Sequence, residues 1–346
     1  MFRILPPLLC LLATSLAAAG EFRALSLPGS QLGALSADGR AAAGGVIGAA
    51  SGGFRWQEGE APRLLERAVS VRAMSASGRH VAGSSLDAQL REVATWWDVD
   101  GTVHPLGGLP GAEASAGLLS AAWGINDEPQ VVGVGANGSD TVAVRWTAAS
   151  GWQVLQDTPS AAIGLSDDGR RVYGWSTHAD AIRHAALWDD GQPCCAPERL
   201  HDDTRLRNVE LVGANRAATI LLGVADLRAP AAYRWTPSET AVVRIAPAVR
   251  FTASSGDGRM LAGVAGSGAQ RVAMVWTSTR GVERLQDFLA ARAITVPAGW
   301  SLLAATALSA DGRRLGGFGL TDGRFDSFIV DLTSVADAES LPPTAP

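Results

Sequence analysis

Residues that could do chemistry are scattered along this chain of 346 residues, and few of them form a recognisable pattern. The five histidines include no H-x-H or H-E-x-x-H pair, the spacings typical of zinc sites. Asp98-Val-Asp100-Gly101 resembles the start of a calcium loop, but the later ligands of such a loop are missing. We interpret this segment as a hairpin turn, and we predict no metal site, no cofactor and no catalytic residues.

Two other segments are weak matches to enzyme motifs. Gly133-Val-Gly-Ala-Asn-Gly138 fits the G-x-G-x-x-G pattern of dinucleotide-binding proteins. It leads into Thr141-Val-Ala-Val-Arg-Trp146, which is typical of a strand, whereas the pyrophosphate needs a helix N-terminus. We interpret it as a glycine-rich connection between strands. Tyr173 and Tyr233 are the only tyrosines that could serve as a sialidase-like nucleophile, and neither has a recognisable partner.

Two adjacent cysteines, Cys194 and Cys195, lie between prolines in the segment Gln-Pro-Cys-Cys-Ala-Pro. The prolines predict an exposed turn. In an oxidising compartment the pair could form a vicinal disulfide that stiffens the turn or offers a flat apolar surface to a ligand. Free thiols and intermolecular pairing are the alternatives. Two cysteines cannot scaffold a fold of this size, so a hydrophobic core must stabilise it.

The N-terminal segment has the features of a signal peptide. Arg3 precedes an apolar run, and Ala17-Ala-Ala19 provides an A-x-A cleavage site before Gly20. The run is shorter than the roughly 20 residues of a membrane-spanning helix, and no second long apolar stretch follows. We therefore expect a signal peptide over residues 1–19 and an exported protein, periplasmic or extracellular. The net charge of −5 argues against nucleic-acid and anionic-membrane partners.

An internal repeat is the dominant pattern of the chain. The heptapeptide ALSADGR occurs at residues 34–40 and again at residues 307–313. Five weaker copies begin at Ala73, Gly124, Gly164, Gly213 and Ala253. The starts are about 40 to 50 residues apart, which is typical of an array of supersecondary units.

Each repeat carries the same signals for β-structure. The Asp-Gly pair favours a tight hairpin turn. A Val-x-Gly strand follows, and then comes an aromatic position, held in six units by Trp56, Trp97, Trp146, Trp188, Trp235 and Trp276. Four short strands per unit predict an all-β fold, a seven-bladed propeller with four-stranded blades over residues 20–332. The seventh unit lacks a fourth strand, and we expect residues 22–27 to supply it and close the ring. Residues 333–346 would form a disordered tail.

The repeat resembles a known family. Ser-x-Asp-Gly-Arg, Val-x-Gly and the segment His184-Ala-Ala-Leu-Trp188 are similar to the repeats of the HAF-repeat family of bacterial extracellular proteins, whose motif has Phe in place of Ala186. The resemblance spans roughly residues 30–332. It implies export and a repeat fold, but it does not imply a known activity or known catalytic residues.

Loop length suggests where a ligand would bind. Every second unit is longer by about ten residues, and the extra residues lie at 107–121, 201–209 and 287–303, after predicted fourth strands. These connections would share a face with the second-to-third-strand loops, opposite the Asp-Gly turns. We expect the ligand-binding residues on that face, at Trp175, His178, Asp140, Asp226 and Asp322.

These features predict a monomeric, non-catalytic binding or envelope-interaction module, with a glycan or an envelope protein as its partner. Repeats of a turn motif are typical of a scaffold rather than of an enzyme. The alternative is a propeller hydrolase or lyase acting on extracellular polysaccharide. Such an enzyme would need carboxylates that converge with an arginine or a metal on the loop face or in the central channel.

Overall fold

A computed structural model describes residues 20–48, 51–112, 117–179, 182–194, 208–225, 230–238 and 242–333. The predicted signal peptide at 1–19 and the tail beyond Thr333 lie outside these ranges. Within them, 28 strands form seven four-stranded antiparallel units, two of which are joined by one parallel pair between Ala214 and Ala253. The protein is an all-β propeller, as predicted.

The first three units follow one another along the chain. Unit 1 contains strands β2 to β5, which are Ser30–Leu35, Ala41–Val46, Gly52–Gln57 and Arg63–Leu65. Unit 2 contains β6 to β9, which are Ala68–Met74, Val81–Leu86, Glu92–Trp97 and Val103–Pro105. Unit 3 contains β10 to β13, which are Ser120–Ile125, Val131–Asn137, Asp140–Thr147 and Gly151–Val154.

The next three units have the same strand order. Unit 4 contains β14 to β17, which are Ser160–Leu165, Arg171–Thr177, Arg183–Asp189 and Gln192–Cys194. Unit 5 contains β18 to β21, which are Glu210–Ala214, Leu221–Ala225, Ala231–Trp235 and Val242–Pro247. Unit 6 contains β22 to β25, which are Val249–Ser254, Met260–Ala265, Val272–Thr277 and Gly281–Arg284.

Unit 7 joins the two ends of the chain. It contains β26 to β28, which are Trp300–Leu308, Arg314–Thr321 and Arg324–Asp331, and its fourth strand is β1, Phe22–Ala24. Phe22 pairs with Val330 across this closure, and its ring stacks on Phe328 with centroids 5.1 Å apart. The expected closure by residues 22–27 is therefore observed, with the paired strand confined to Phe22–Ala24.

The hydrophobic core lies between neighbouring units, because each sheet buries both faces. Trp97 and Trp188 are almost fully buried, and each pairs with a valine of its second strand, Val81 and Val172. Second strands such as β3, with the sequence Ala-Ala-Ala-Gly-Gly-Val, have small side chains. Large side chains of the next unit can therefore pack against them. The repeated tryptophan thus serves packing between units.

The repeated turn is held by its own side chains. In unit 1 the Ser36 hydroxyl donates to Asp38 Oδ1 at 2.6 Å, and the backbone N–H groups of Arg40 and Ala41 donate to Asp38 and Ser36 at 2.9 Å. Gly39 has φ of 70°, which glycine adopts without strain. The same bonds recur in units 4, 6 and 7, around Ser166, Ser255 and Ser309.

Each turn also donates a hydrogen bond to the turn of the next unit. Four of these bonds join backbone groups, two use the amide of an asparagine that replaces the serine, and one uses an aspartate acceptor. They run from Ala37 N to Ala76 O, Ser77 N to Asp127 Oδ1, Asn126 Nδ2 to Asp167 O, Asp167 N to Arg216 O, Asn215 Nδ2 to Gly256 O, Gly256 N to Ala310 O and Ala310 N to Ala37 O. The seven bonds form a closed circle on one face of the disc.

We call the face that carries these turns the turn face, and the opposite one the loop face. The loop face carries the second-to-third-strand connections and the connections between units that the structure describes. The described parts of the insertions at 107–121 and 287–303 lie there, whereas residues 201–207 of the remaining insertion lie outside the described residues. The third insertion contains a short helix that the sequence did not predict, α1, Leu285–Ala290, whose Leu285, Phe288 and Leu289 are buried. No helix among the described residues is long and apolar enough to cross a membrane.

Candidate functional site

The seven first strands surround a central channel with a cavity of about 880 Å³. Every unit contributes its first strand to the wall. These strands begin at the loop face and end at the turn face, so the channel runs between the two faces of the disc. A cavity of this volume is in the range that holds a small-molecule ligand.

A β-bulge occurs at the same repeat position in all seven first strands, one residue before each repeat start. The bulged residue has no partner in the second strand, and in every unit it lines the channel. The seven bulged residues are Gly33, Arg72, Trp123, Ile163, Val212, Thr252 and Thr306. We call this set the bulge ring.

The repeated glycine of the second strand makes room for the bulge. Gly174 pairs with Ala162, the residue before the bulge, and a Cβ on Gly174 would lie 1.9 Å from the carbonyl oxygen of Ala161. Equivalent glycines in units 1, 2, 3, 6 and 7 face the same carbonyl at 1.9–2.2 Å. Unit 5 is different, because the nearest atom to a Cβ on Gly223 would be 3.5 Å away. The bulge therefore requires the glycine of the Val-x-Gly motif in six units, whereas in unit 5 it leaves room for a Cβ.

The residue type at the bulge ring differs strongly between units. Glycine, arginine, tryptophan, isoleucine, valine and two threonines occupy it, whereas the next position is always alanine or glycine. Arg72 and Trp123 come from neighbouring units, and the Arg72 guanidinium carbon lies 5.3 Å from the centroid of the Trp123 ring. This contact orients Arg72 within the channel.

A second layer of channel residues lies nearer the loop face, two residues before the bulge. Its polar members are Gln31, Ser70, Glu210 and Arg250. Glu210 is buried and forms an ion pair with Arg183, which begins the third strand of unit 4. The Arg183 guanidinium carbon also lies 3.9 Å from the centroid of the Trp175 ring.

Arg216 crosses the channel at its turn-face end. Its guanidinium donates to the carbonyl oxygen of Leu35, which ends the first strand of unit 1, and lies 3.5 Å from Asp167 of unit 4. Burial raises the pKa of Asp167, while the Arg216 charge acts in the opposite direction. Because Arg216 spans from unit 5 to unit 1, it obstructs the turn-face mouth and leaves the loop-face mouth as the entrance.

The structure places Trp175 differently from the prediction. We expected it in a second-to-third-strand loop, but it lies within strand β15, paired with Ala161 and Ala185. It is half-buried and lines the channel wall. The prediction of a loop position was wrong because the second strand extends three residues past its repeated glycine, to Thr177.

The other predicted ligand-binding residues lie on the loop face but do not line the channel. Asp140 begins β12, and Asp322 lies in the hairpin between β27 and β28 with φ of 50°; both are exposed. His178 is exposed, and its ring centroid is 4.5 Å from that of His184. Asp226 lies outside the described residues.

The prediction of an exposed turn was wrong for Cys194, which ends strand β17, pairs with Leu187 and is half-buried. Cys195 lies outside the described residues. The vicinal disulfide stays a prediction. The hairpin interpretation of residues 98–101 agrees with the structure, since they connect β8 and β9, and Asp98 accepts hydrogen bonds from the N–H groups of Asp100 and Thr102. The interpretation of residues 133–138 as a connection between strands was wrong, because residues 133–137 lie within β11 and pair with β12. The segment that follows is a strand, as interpreted.

Tyr173 is poorly suited to act as a nucleophile. It lies against the channel wall, and burial raises its pKa to about 12. Its hydroxyl is therefore protonated at neutral pH and has little nucleophilic character. In the part of the chain that the structure describes, no group of three metal-ligating side chains is present.

Sequence reasoning missed the bulge ring, although a signal for it was present. The type of the residue before each repeat start varies between units, from Gly33 in the first unit to Thr306 in the last. Within a strongly repeated unit, such a position is free of the packing and turn constraints that conserve its neighbours from unit to unit. The pattern would have pointed to one residue per unit, and the closed ring then brings all seven together.

No protein-family model matches this chain, and no curated protein matches it in sequence. Solved structures match it in fold. The β-propeller domain of the Trilobed protease from Pyrococcus furiosus is 11% identical, with 87% of this chain and 95% of that chain covered and a TM-score of 0.57.

Two further solved structures show the same likeness. An oligogalacturonate lyase from Vibrio parahaemolyticus is 9% identical, with coverage of 90% and 93% and a TM-score of 0.53. A puromycin-hydrolyzing peptidase from Mycobacterium tuberculosis is 17% identical, with a TM-score of 0.55; 88% of this chain and 51% of that chain are covered. These similarities establish the β-propeller fold.

Proposed function

We propose that this chain is an exported, non-catalytic binding propeller, and that its ligand, a glycan or a segment of an envelope protein, enters the central channel from the loop face. The bulge ring carries this proposal. It places one residue from each unit, with apolar, aromatic, hydroxyl and cationic side chains among them, around a cavity of about 880 Å³ on a repetitive backbone. Diversity confined to a cavity wall is typical of a recognition surface on a scaffold.

The shape of the channel supports entry from the loop face. Arg216 obstructs the turn-face mouth through its contacts with Leu35 and Asp167. The exposed apolar side chains of Ile47 and Val69 lie at the loop-face mouth. A ligand entering there would meet an apolar rim before it reaches the polar wall.

Export is supported by the signal-peptide features of residues 1–19, and the resemblance to the HAF-repeat family agrees with it. The test of export is cell fractionation of a bacterial host that expresses the full chain, followed by N-terminal sequencing of the recovered protein. Cleavage before Gly20 is the expected result. An uncleaved protein confined to the cytoplasm would contradict it.

A second candidate function is that of a hydrolase or lyase acting on extracellular polysaccharide. The observation that favours it is Asp167, a carboxyl group with a raised pKa that lies in the channel beside an arginine. The test is incubation of the chain with acidic and neutral polysaccharides, followed by an assay for new reducing ends. Turnover that is abolished in Asp167→Asn would replace the binding proposal with this one.

The test of the binding proposal is a glycan and peptide array probed with the full chain and with a channel-blocking variant. Gly33 suits this purpose, because it lines the channel and a Cβ added there would have no atom nearer than 3.8 Å. We expect Gly33→Trp to abolish the signals of the wild-type chain. Val154→Trp, on an exposed outer strand, adds the same side chain away from the channel and should keep them. Signals that survive in Gly33→Trp would place the site elsewhere.

A further inference from the structure

Arginines outnumber carboxylates among the described residues that line the channel. Four arginines line it, and two of them have acidic partners: Arg183 pairs with Glu210, and Arg216 lies 3.5 Å from Asp167. Arg72 and Arg250 also line the cavity and are exposed to it. Neither forms an ion pair with a carboxylate of the described residues. Among the described residues that line the cavity, four arginines thus accompany two carboxylates, in a chain of net charge −5.

The two unpaired arginines come from nearly opposite walls. Arg72 belongs to unit 2 and Arg250 to unit 6, which are separated by three units in one direction around the ring and by two in the other. Arg72 lies in the bulge ring, and Arg250 lies one layer nearer the entrance. A ligand in the channel would therefore lie between two guanidinium groups at different depths.

The surroundings strengthen attraction to an anion. Apolar or small residues form much of the remaining wall, among them Ile163 and Val212. Charges in a narrow cavity with walls of low polarity interact more strongly than charges in open water. The Trp123 ring beside Arg72 limits the freedom of that side chain, so less conformational entropy is lost on binding.

We propose that the channel ligand is a small polycarboxylate, held by Arg72 and Arg250 from opposite walls. This inference rests on the proposed function and specifies the class of its ligand. Guanidinium groups bind carboxylates through two parallel hydrogen bonds, which suits two carboxylates spaced along the channel axis. The cavity size limits the bound part to a few sugar units or to a small organic acid. The net acidity of the chain disfavours large polyanions that would contact its outer surface.

The experiment is isothermal titration of the full chain with three probes. Trigalacturonate carries carboxylates on a sugar backbone, its fully methyl-esterified form is neutral, and tricarballylate carries three carboxylates without a sugar. We expect at least one of the acids to bind and the ester to bind at least tenfold more weakly. Which acid binds more tightly distinguishes an acidic sugar from an organic acid, and either result supports the proposal.

Variants assign the binding to the two arginines. Arg72→Gln and Arg250→Gln should each weaken acid binding at least tenfold, while Arg72→Lys should keep more of it than Arg72→Gln. Arg313→Gln makes the same charge change on an exposed residue of the turn face and should leave the Kd within twofold. Circular dichroism and thermal melting confirm that each variant is folded before titration.

Three results would overturn the polycarboxylate proposal. They are equal binding of the ester and the acid, unchanged acid binding in both glutamine variants, and no acid binding by the wild-type chain at millimolar probe. If the array signals of the wild-type chain are still lost in Gly33→Trp, the channel remains the site and only the ligand class is wrong.

Discussion

The backbone N–H of Ala310 donates a 2.7 Å hydrogen bond to the carbonyl oxygen of Ala37, and so joins the turns of the last and first units. Both residues occupy the same position in the two identical heptapeptides at residues 34–40 and 307–313. Identical turns are suited to this junction, since each turn donates a hydrogen bond to the next unit and accepts one from the preceding unit. The circle of bonds closes at this contact, alongside the pairing of β1 with β28.

Asn215→Ala should destabilise the protein by about 1–3 kcal/mol, because it leaves buried groups without partners. The buried Asn215 side chain accepts from the N–H groups of Thr219 and Ile220 and donates to the carbonyl of Gly256 in the next unit. Urea unfolding at neutral pH measures the change. Asn137→Ala, at an exposed strand end, is the matched control and should change stability by less than about 0.5 kcal/mol. Equal effects of the two variants would contradict the role of the turn-to-turn bond.

Gly174→Ala should be destabilising by about 1–3 kcal/mol or more, because its Cβ would overlap the carbonyl oxygen of Ala161. Gly223→Ala makes the same change at the same repeat position of unit 5, where the nearest atom is 3.5 Å away. Neither glycine has a positive φ. Gly223→Ala should therefore be neutral, or stabilising by up to about 1 kcal/mol through the less flexible unfolded chain. Chemical unfolding of both variants measures their stabilities. Equal changes in the free energy of unfolding would contradict the role of the Ala161 carbonyl.

The protein should lose stability in acid through its turn aspartates. A hydrogen bond from the Ser166 hydroxyl, followed by one from the N–H of Arg170, holds the pKa of Asp168 below its usual range. Burial raises the pKa of Asp38, but the bonds from Ser36 and Arg40 outweigh it and the pKa is lowered. The folded state thus binds these protons more weakly than the unfolded state does.

The stabilisation by these carboxylates is complete well above the unfolded pKa of about 3.9, and it is lost as the pH falls through the lower folded values. Urea midpoints measured from pH 7 to pH 2.5 should therefore decline below about pH 4. Asp168→Asn keeps an acceptor oxygen but removes the titrating group, so its midpoint should decline less steeply. A wild-type midpoint that is constant or increases towards pH 2.5 would be the opposite outcome.

Removal of the Arg216 side chain should raise the pKa of Asp167 further. Burial already raises this pKa, and Arg216 supplies the nearby positive charge that opposes the effect. Titration of Arg216→Ala by carboxyl ¹³C NMR measures the shift. Asp168, whose pKa is lowered chiefly by hydrogen bonds from Ser166 and Arg170, serves as the internal reference. An unchanged pKa of Asp167 would show that Arg216 does not hold its position across the channel mouth.

Much of the fold could be predicted because the residues that define it recur. The tryptophan of six third strands and the Asp-Gly pair of four first turns are local signals, and their repetition makes the period of the array visible. The closure by residues 22–27 could be predicted from the missing fourth strand alone. The short helix at Leu285–Ala290 could not, since a single helical turn in a connection has too few residues for a helical period.

The channel was harder to predict because its residues are defined by hydrogen-bond register. A bulge moves one residue of each first strand out of pairing, and no residue type marks it, as the contrast between Gly33 and Trp123 shows. The opposing glycine is a partial signal, but glycine has other roles in strands. The predicted loop residues Asp140, His178 and Asp322 were chosen by loop length, which locates a face of the disc rather than its centre.

The pairing of β1 with β28 has a consequence for the order of events during synthesis. The first strand of the propeller to leave the ribosome is the one whose partner is made last, almost a whole chain length later. Units 1 to 6 contain only strands that are close in sequence, so each can form as soon as it is synthesised. Unit 7 cannot form from an incomplete chain, and its β28 edge would stay open without β1. Unit 7 can therefore assemble only after translation has reached the end of the fold. Premature termination leaves an open ring with an unpaired strand edge that proteases can recognise.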